Sequence, residues 1–172
     1  MASSASDPAG IIYRDLWLSR TGGLQWERVT ATAPYQARAH ACAFGFKDPQ
    51  GGGMRLWLGA GEVSGHAMQA PWLFDGQTWT PLPQPRWPPR ARANVAVMGS
   101  LVFLFGGIGL EGRQLTDLWG AQLTDLTEWT LLDPNIPPGN TTDAACAVRG
   151  DSLLLTAGPL RDAVWRMTPK AG

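Results

Sequence analysis

Hydrophobic residues along the chain fall into short runs separated by turns rich in glycine, proline and aspartate. Three such runs are ANVAVM (93–98), LVFLF (101–105) and SLLLT (152–156). Short apolar runs between turn-forming residues predict β-strands, and no stretch has the 3.6-residue spacing of an amphipathic helix. The pattern therefore predicts an all-β fold.

Tryptophan marks an internal repeat. One series is Trp17, Trp72, Trp119 and Trp165, and a second series is Trp26, Trp79 and Trp129. Successive members of each series lie 46 to 55 residues apart, a period that is typical of propeller blades. Both series are predicted to fill the wedges between neighbouring blades, and Trp57, which lies inside a strand, is predicted to be core.

Each repeat resembles the kelch family. In the clearest copy a hydrophobic strand ends in a double glycine, LVFLFGG (101–107), followed by DLW (117–119) and EWTLL (128–132). An arginine opens the strand that precedes the next copy, and the corresponding residues are assigned as Arg38, Arg92 and, in the last copy, Thr142. The resemblance implies a kelch-like β-propeller portion of about three to three and a half four-stranded antiparallel blades, within the galactose oxidase-like superfamily.

The repeat divides a single domain, residues 11–172, into copies at roughly 11–46, 54–98, 101–149 and 152–168. Residues 1–10 are small and polar and are predicted to form a disordered tail. The copies supply thirteen strands, whereas propellers usually close with about four to eight blades. Exposed blade faces and strand edges therefore predict a homodimer that completes the propeller, a place in a larger assembly, or a longer gene product.

Composition narrows the range of partners and compartments. Fourteen basic and fourteen acidic residues leave no net charge, which argues against nucleic acid as a partner. No run reaches the length of a membrane span, and the amino terminus lacks the pattern of a secretory signal. Cys42 and Cys146 each follow the assigned strand-opening residue by four positions, so they are predicted to be unpaired thiols in different blades of a cytoplasmic protein.

The kelch-like connectivity predicts which loops share a face of the molecule. With the double-glycine strand taken as the innermost, residues 60–69, 107–116 and 158–161 lie on the same face as 30–37, 82–91 and 133–142. This surface, called the loop-rich face, is the predicted binding surface because long loops on a rigid scaffold commonly carry function. Its candidate residues are Arg38, His40, Glu62, His66, Arg86, Trp87, Arg90, Arg92, Glu111 and Arg113. Trp87 lies outside both tryptophan series and is predicted to be an exposed anchor for a partner.

Catalytic alternatives have less support. Gly107, Gly109 and Gly112 spell GxGxxG after a strand, but no helix follows to bind a dinucleotide phosphate. The two histidines, His40 and His66, lack a third metal ligand, so no metal or cofactor is predicted.

The loop carboxylates Glu62 and Glu111 occupy corresponding loops of neighbouring blades. Their placement leaves open a carbohydrate-active enzyme of the glycosidase or sugar epimerase type. The preferred prediction is a non-catalytic protein-interaction or scaffold module. The two functions differ in what they require, because an enzyme needs carboxylates or histidines converging in a deep pocket, whereas a binding module needs a shallow surface rich in Arg and Trp.

Overall fold

The computed structural model describes residues 12–137, 139, 141–156 and 164–168. These ranges form β-strands and one short 3-10 turn, Leu110–Gly112, which confirms the predicted all-β fold. None of the helical segments within them is long and apolar enough to cross a membrane. The predicted amino-terminal tail and residues 158–161 lie outside the described residues.

The strands run in chain order and are numbered accordingly. They are β1 Leu16–Leu18, β2 Glu27–Thr30, β3 Cys42–Lys47, β4 Met54–Gly59, β5 Glu62–Val63, β6 His66–Ala67, β7 Trp72–Phe74, β8 Trp79–Pro81, β9 Asn94–Met98, β10 Leu101–Phe105, β11 Leu118–Gln122, β12 Asp125–Asp133, β13 Ala145–Arg149, β14 Ser152–Thr156 and β15 Trp165–Met167.

Four antiparallel sheets form successive blades. The first blade is the pair β1-β2, the second is β3-β4-β7-β8, the third is β9-β10-β11-β12 and the fourth is β13-β14-β15. The small hairpin β5-β6 lies within the connection between β4 and β7. In the part of the chain that is described, these four blades contain the thirteen strands predicted from the sequence. The architecture is a portion of a kelch-like propeller.

The order of strands within a blade differs from the prediction. The strands β3, β9 and β13 each lie at one edge of their sheets, and β9 contacts both of the others. These three strands are therefore the innermost, and the double-glycine strand is second rather than first. The physical reason for this order is the tight turn between β9 and β10, which pairs Met98 with Leu101. Because this turn joins the two strands into one hairpin, β9 belongs to the same blade as the double-glycine strand β10 and precedes it there.

Apolar clusters fill the wedges between blades. Trp57 and Trp129 are 0% and 3% exposed in the wedge between the second and third blades, with ring centroids 5.9 Å apart. A second cluster around Phe103 and Leu153 joins the third blade to the fourth. The predicted core position of Trp57 is confirmed.

Three tryptophans of the repeat contradict the prediction that both series are buried. Trp17, Trp26 and Trp165 are 47%, 61% and 39% exposed. They belong to the first and fourth blades, where no further blade covers them within the described residues. Burial of an equivalent indole therefore depends on a neighbouring blade and not on repeat position alone.

Cys42 and Cys146 are both free thiols, as predicted, but they do not share a repeat position. Cys42 pairs with Gly59 and Cys146 with Leu155, so Cys42 corresponds to Asn94 and Cys146 lies one residue further along its strand. One consequence is different burial, since Cys42 is buried and Cys146 is half-buried. Burial raises the pKa of Cys42 to about 12 and also raises the pKa of Cys146.

Candidate functional site on the loop-rich face

Backbone pairs join the loops of this face within blades and between the second and third blades. Ala39 bridges Glu62, Met68 bridges Arg90, and Ala91 bridges Ile108. Each bridge connects a loop that follows a double-glycine strand with a loop that leads into an inner strand. The predicted grouping on one face therefore holds for the connections that contain residues 30–37, 60–69, 82–91 and 107–116.

Arg38 and Arg90 were predicted to lie on the surface, and both are buried, at 4% and 0% exposure. Arg38 Nη1 donates to the Ala60 carbonyl at 3.1 Å, and Arg90 Nη1 donates to the Gly106 carbonyl at 3.0 Å. These carbonyls belong to corresponding turns, Gly59-Ala60-Gly61 in the second blade and the double glycine Gly106-Gly107 in the third. The kelch-like arginine of the third blade is therefore Arg90, which corrects the assignment of Arg92.

Asp117 holds the Arg90 guanidinium in a two-pronged ion pair. Its carboxylate oxygens accept hydrogen bonds from Arg90 Nη1 at 2.9 Å and Nη2 at 2.8 Å, and from Trp119 Nε1 at 2.7 Å. Burial raises the pKa of Asp117, but the hydrogen bonds and charge of Arg90 and the Trp119 hydrogen bond outweigh it, so the pKa falls below its usual range. The charges of this pair compensate each other.

Arg38 has no such partner. The residue that corresponds to Asp117, two positions before the strand tryptophan, is Ala70 in the second blade. Arg38 instead donates to backbone carbonyls, including that of Ala70 at 2.9 Å, and its Nη2 makes no hydrogen bond among the described residues. Burial lowers the pKa of Arg38, with a smaller opposing contribution from Tyr35.

Trp87 is not an exposed anchor. Its side chain is 0% exposed and packs against Trp129, with ring centroids 6.3 Å apart, and Arg90 lies 5.8 Å from the Trp87 ring centre. The proline-rich loop folds this indole back into the wedge between blades, which is why a loop residue outside the repeat is nevertheless core.

A row of polar side chains lies where the inner strands begin. Arg92 Nη2 lies 3.0 Å from His40 Nε2, and Arg92 Nη1 lies 3.0 Å from Asp143 Oδ2. On the other side, His40 Nε2 lies 3.5 Å from Glu62 Oε1. The structure thus brings together three of the predicted binding residues and adds Asp143.

The backbone positions this row of polar side chains. His40, Arg92 and Asp143 each precede an inner strand by two residues, and their φ angles are 51°, 55° and 56°. The Arg92 amide donates to the His40 carbonyl at 3.2 Å, and the Asp143 amide donates to the Arg92 carbonyl at 3.3 Å. Left-handed backbone is uncommon for residues other than glycine. The second residue before an inner strand is therefore strained in each of three blades, and each time it carries one of these polar side chains.

The remaining predicted residues are exposed and dispersed. Arg86 lies in the proline-rich loop, whereas Glu111 and Arg113 lie together in the loop that contains the 3-10 turn. His66 begins β6, and its Nδ1 lies 3.0 Å from the Ser64 carbonyl. Glu111 lies in the 3-10 turn, apart from the Glu62–His40 contact. In the described ranges no three His, Cys, Asp or Glu side chains form a group that could hold a metal ion.

A groove of about 360 Å³ lies on the third blade, between the proline-rich loop and the loop that contains the 3-10 turn. This third-blade groove is lined by residues that include Pro88, Pro89, Leu110, Arg113, Trp119 and Leu131. Asp117 forms part of its floor. None of the side chains that a catalytic alternative would use, the two histidines and the two loop glutamates, lines it.

Sequence reasoning missed Asp117 and Asp143. Both could have been found by position: Asp117 lies two residues before Trp119, as Asp15 does before Trp17, and the indole donates to the carboxylate in both places at 2.7 Å. Asp143 corresponds to His40 when residues are counted back from the start of each inner strand.

Comparisons with known proteins support a kelch-like fold. No family model matches the chain. It is 25% identical over 150 residues to an F-box/kelch-repeat protein of Arabidopsis thaliana, a match that covers 78% of this chain and 30% of that protein. The solved structure of YjhT is similar in fold, with a TM-score of 0.66 at 16% identity over 84% of this chain. The chain spans about half of YjhT, 53% of its length.

Proposed function

We propose that the chain is a non-catalytic protein-interaction module that binds its partner through the loop-rich face. One observation carries this proposal: backbone bridges hold the loops of this face in a preorganised arrangement, within the second and third blades and, through Met68 and Arg90, between them. That surface carries exposed charged side chains, among them Arg86, Glu111 and Arg113. Similarity to an F-box/kelch-repeat protein supports an interaction role.

The carbohydrate-active alternative has weaker support. A pair of catalytic carboxylates must face each other across the substrate. Glu62 is instead engaged with His40, and Glu111 lies in a separate exposed turn. Neither residue lines the third-blade groove.

Two further proposals concern assembly and compartment. Exposed Trp17 and Trp26 in the first blade and exposed Trp165 in the fourth support association of these blades with a second copy of the chain or with other subunits. The two free thiols support a reducing compartment such as the cytoplasm.

Affinity capture of protein partners on the immobilised chain tests the proposed face. Trp87 and Arg90 are unsuitable targets because both are buried, so exposed Arg86 and Glu111 are changed instead, as Arg86→Glu and Glu111→Arg. Arg149→Glu, an exposed arginine at the opposite end of an inner strand, is the matched control. We expect the loop-face variants to lose partners that the control retains. Retention of every captured protein by both loop-face variants would contradict the proposed face.

A further inference from the structure

We propose that the third-blade groove binds a short apolar segment of a partner protein that carries one acidic side chain. This inference rests on the proposed function, because it names the kind of ligand that the loop-rich face recognises. It is carried by the groove's shape, by its exposed apolar side chains and by one cation that has no partner among the described residues.

The groove presents apolar surface to solvent. Leu110 and Leu131 line it and are 57% and 44% exposed, and Pro88 and Pro89 add rings without backbone N–H donors. Its volume of about 360 Å³ lies near the lower end of the usual range for ligand pockets, about 300–1,000 Å³. The groove therefore fits a few apolar side chains of a peptide better than a folded surface.

The charge of the groove is positive once paired groups are discounted. Asp117 accepts three hydrogen bonds, two of them from buried Arg90, so its negative charge is compensated. Arg113 is exposed and makes no ion pair or side-chain hydrogen bond within the described part of the chain. An unpaired guanidinium beside apolar surface favours a carboxylate on the ligand, which it can bind through two parallel hydrogen bonds.

The walls of the groove are held in place before a ligand arrives. The Gly109 amide donates to the Arg113 carbonyl at 2.7 Å, and the Arg113 amide donates to the Leu110 carbonyl at 3.1 Å. Ile108 bridges both Ala91 and Gln114, which anchors the turn to the neighbouring loop. Because the backbone is already ordered, binding costs little conformational entropy in the protein.

Fluorescence polarisation with labelled octapeptides of leucine and proline tests this inference. The peptides differ only at one central residue, which is Glu, Gln or Lys. We expect the Glu peptide to bind about tenfold more tightly than the Lys peptide, because only the former pairs with Arg113. Arg113→Glu should reverse this order, and Leu110→Asp should abolish binding of all three peptides.

Two matched controls lie on the opposite face. Arg149→Glu changes another exposed arginine, and Leu24→Asp changes a leucine that is 87% exposed in the turn between β1 and β2. Neither should alter peptide binding. Failure of all three peptides to bind, or an unchanged order of affinities in Arg113→Glu, would overturn the inference.

The outcomes also separate this inference from the proposed function. If Arg86→Glu weakens peptide binding while Arg113→Glu does not, the loop-rich face remains the binding surface and the groove is wrong. If only the opposite-face variants weaken binding, both proposals fail.

Discussion

Arg38 and Arg90 show how one residue position is stabilised in two ways. Both guanidinium groups are buried and donate to the turn that ends the second strand of their blade, but only Arg90 has a carboxylate partner. Arg38 relies on carbonyl oxygens and on the Tyr35 ring, whose centre lies 5.8 Å away. A buried charge is costly unless hydrogen bonds or an opposite charge compensate it.

Replacing each arginine by methionine therefore should not have the same effect. Both Arg38→Met and Arg90→Met remove hydrogen bonds to carbonyl groups, but only Arg90→Met leaves Asp117 without its cation. Breaking a buried pair typically costs 3–5 kcal/mol, and since Asp117 is 15% exposed we expect Arg90→Met to lower the free energy of unfolding by about 3 kcal/mol more than Arg38→Met. Urea titration measures both values.

A double variant separates the ion pair from packing. Arg90→Met combined with Asp117→Leu removes both charges, so it should recover part of the stability that Arg90→Met loses. If Arg38→Met and Arg90→Met lower the free energy of unfolding equally, the ion pair between Asp117 and Arg90 does not contribute to stability as proposed.

Asp117 should also shape the acid sensitivity of the fold. Its folded-state pKa lies below the unfolded value of about 3.9, so its contribution to stability is complete above that pH and is lost as pH falls through the folded value. We expect the urea midpoint of the wild-type chain to fall more steeply below about pH 4 than that of Asp117→Asn. Parallel curves for the two proteins would contradict the assigned pKa direction.

Among the loops, the double-glycine turn packs closely against the loop that leads into β9. Gly107 has a φ of +91°, and a Cβ atom there would lie 2.5 Å from the Ala91 carbonyl oxygen and 2.9 Å from Ala93 Cα. Gly112 has a φ of +75° but open space around it. Gly107 is therefore required by both its backbone conformation and its close contact, whereas Gly112 is required by its backbone conformation alone.

Alanine substitution at these glycines should therefore give unequal losses. Gly112→Ala should cost roughly 1–2 kcal/mol, the usual penalty for an L-residue in left-handed backbone. Gly107→Ala should cost more, because the backbone of the neighbouring loop must also move. Thermal unfolding of the two variants measures the difference, and a Gly112→Ala loss as large as that of Gly107→Ala would contradict the close approach.

The sequence was sufficient to predict the strands and the face on which the loops meet. The double-glycine strand is second in its blade rather than first, but the predicted face is unaffected because alternate connections of an antiparallel meander always share a face. Local pattern could not distinguish Arg90 from Arg92, since each stands next to Ala91 and only pairing with the double-glycine strand fixes the register. Burial of Trp87 likewise depends on the neighbouring blade, which leaves no signal in the loop itself.

At the scale of the whole molecule, the first and fourth blades both expose tryptophans of the repeat. Trp26 is 61% exposed in the first blade, and Val164 and Trp165 are 69% and 39% exposed in the fourth. Exposed aromatic and aliphatic side chains at both ends of a row of blades favour association through those ends.

Sedimentation equilibrium tests the proposed homodimer. We expect a mass of twice the 18.5 kDa of one chain, and we expect Trp26→Asp to shift the equilibrium toward the monomer because a charge replaces an apolar contact. A stable, monodisperse monomer of the unaltered chain in dilute solution would exclude the dimer.

Hydrogen–deuterium exchange of the chain with and without a captured partner tests the central claim most directly. If the loop-rich face binds, amides in residues 60–69, 82–91 and 107–116 should exchange more slowly in the complex. Turns of the opposite face, at residues 48–53, 75–78 and 123–124, should be unchanged. Protection confined to those turns, with the loop-rich face exchanging as in the free chain, would contradict the account.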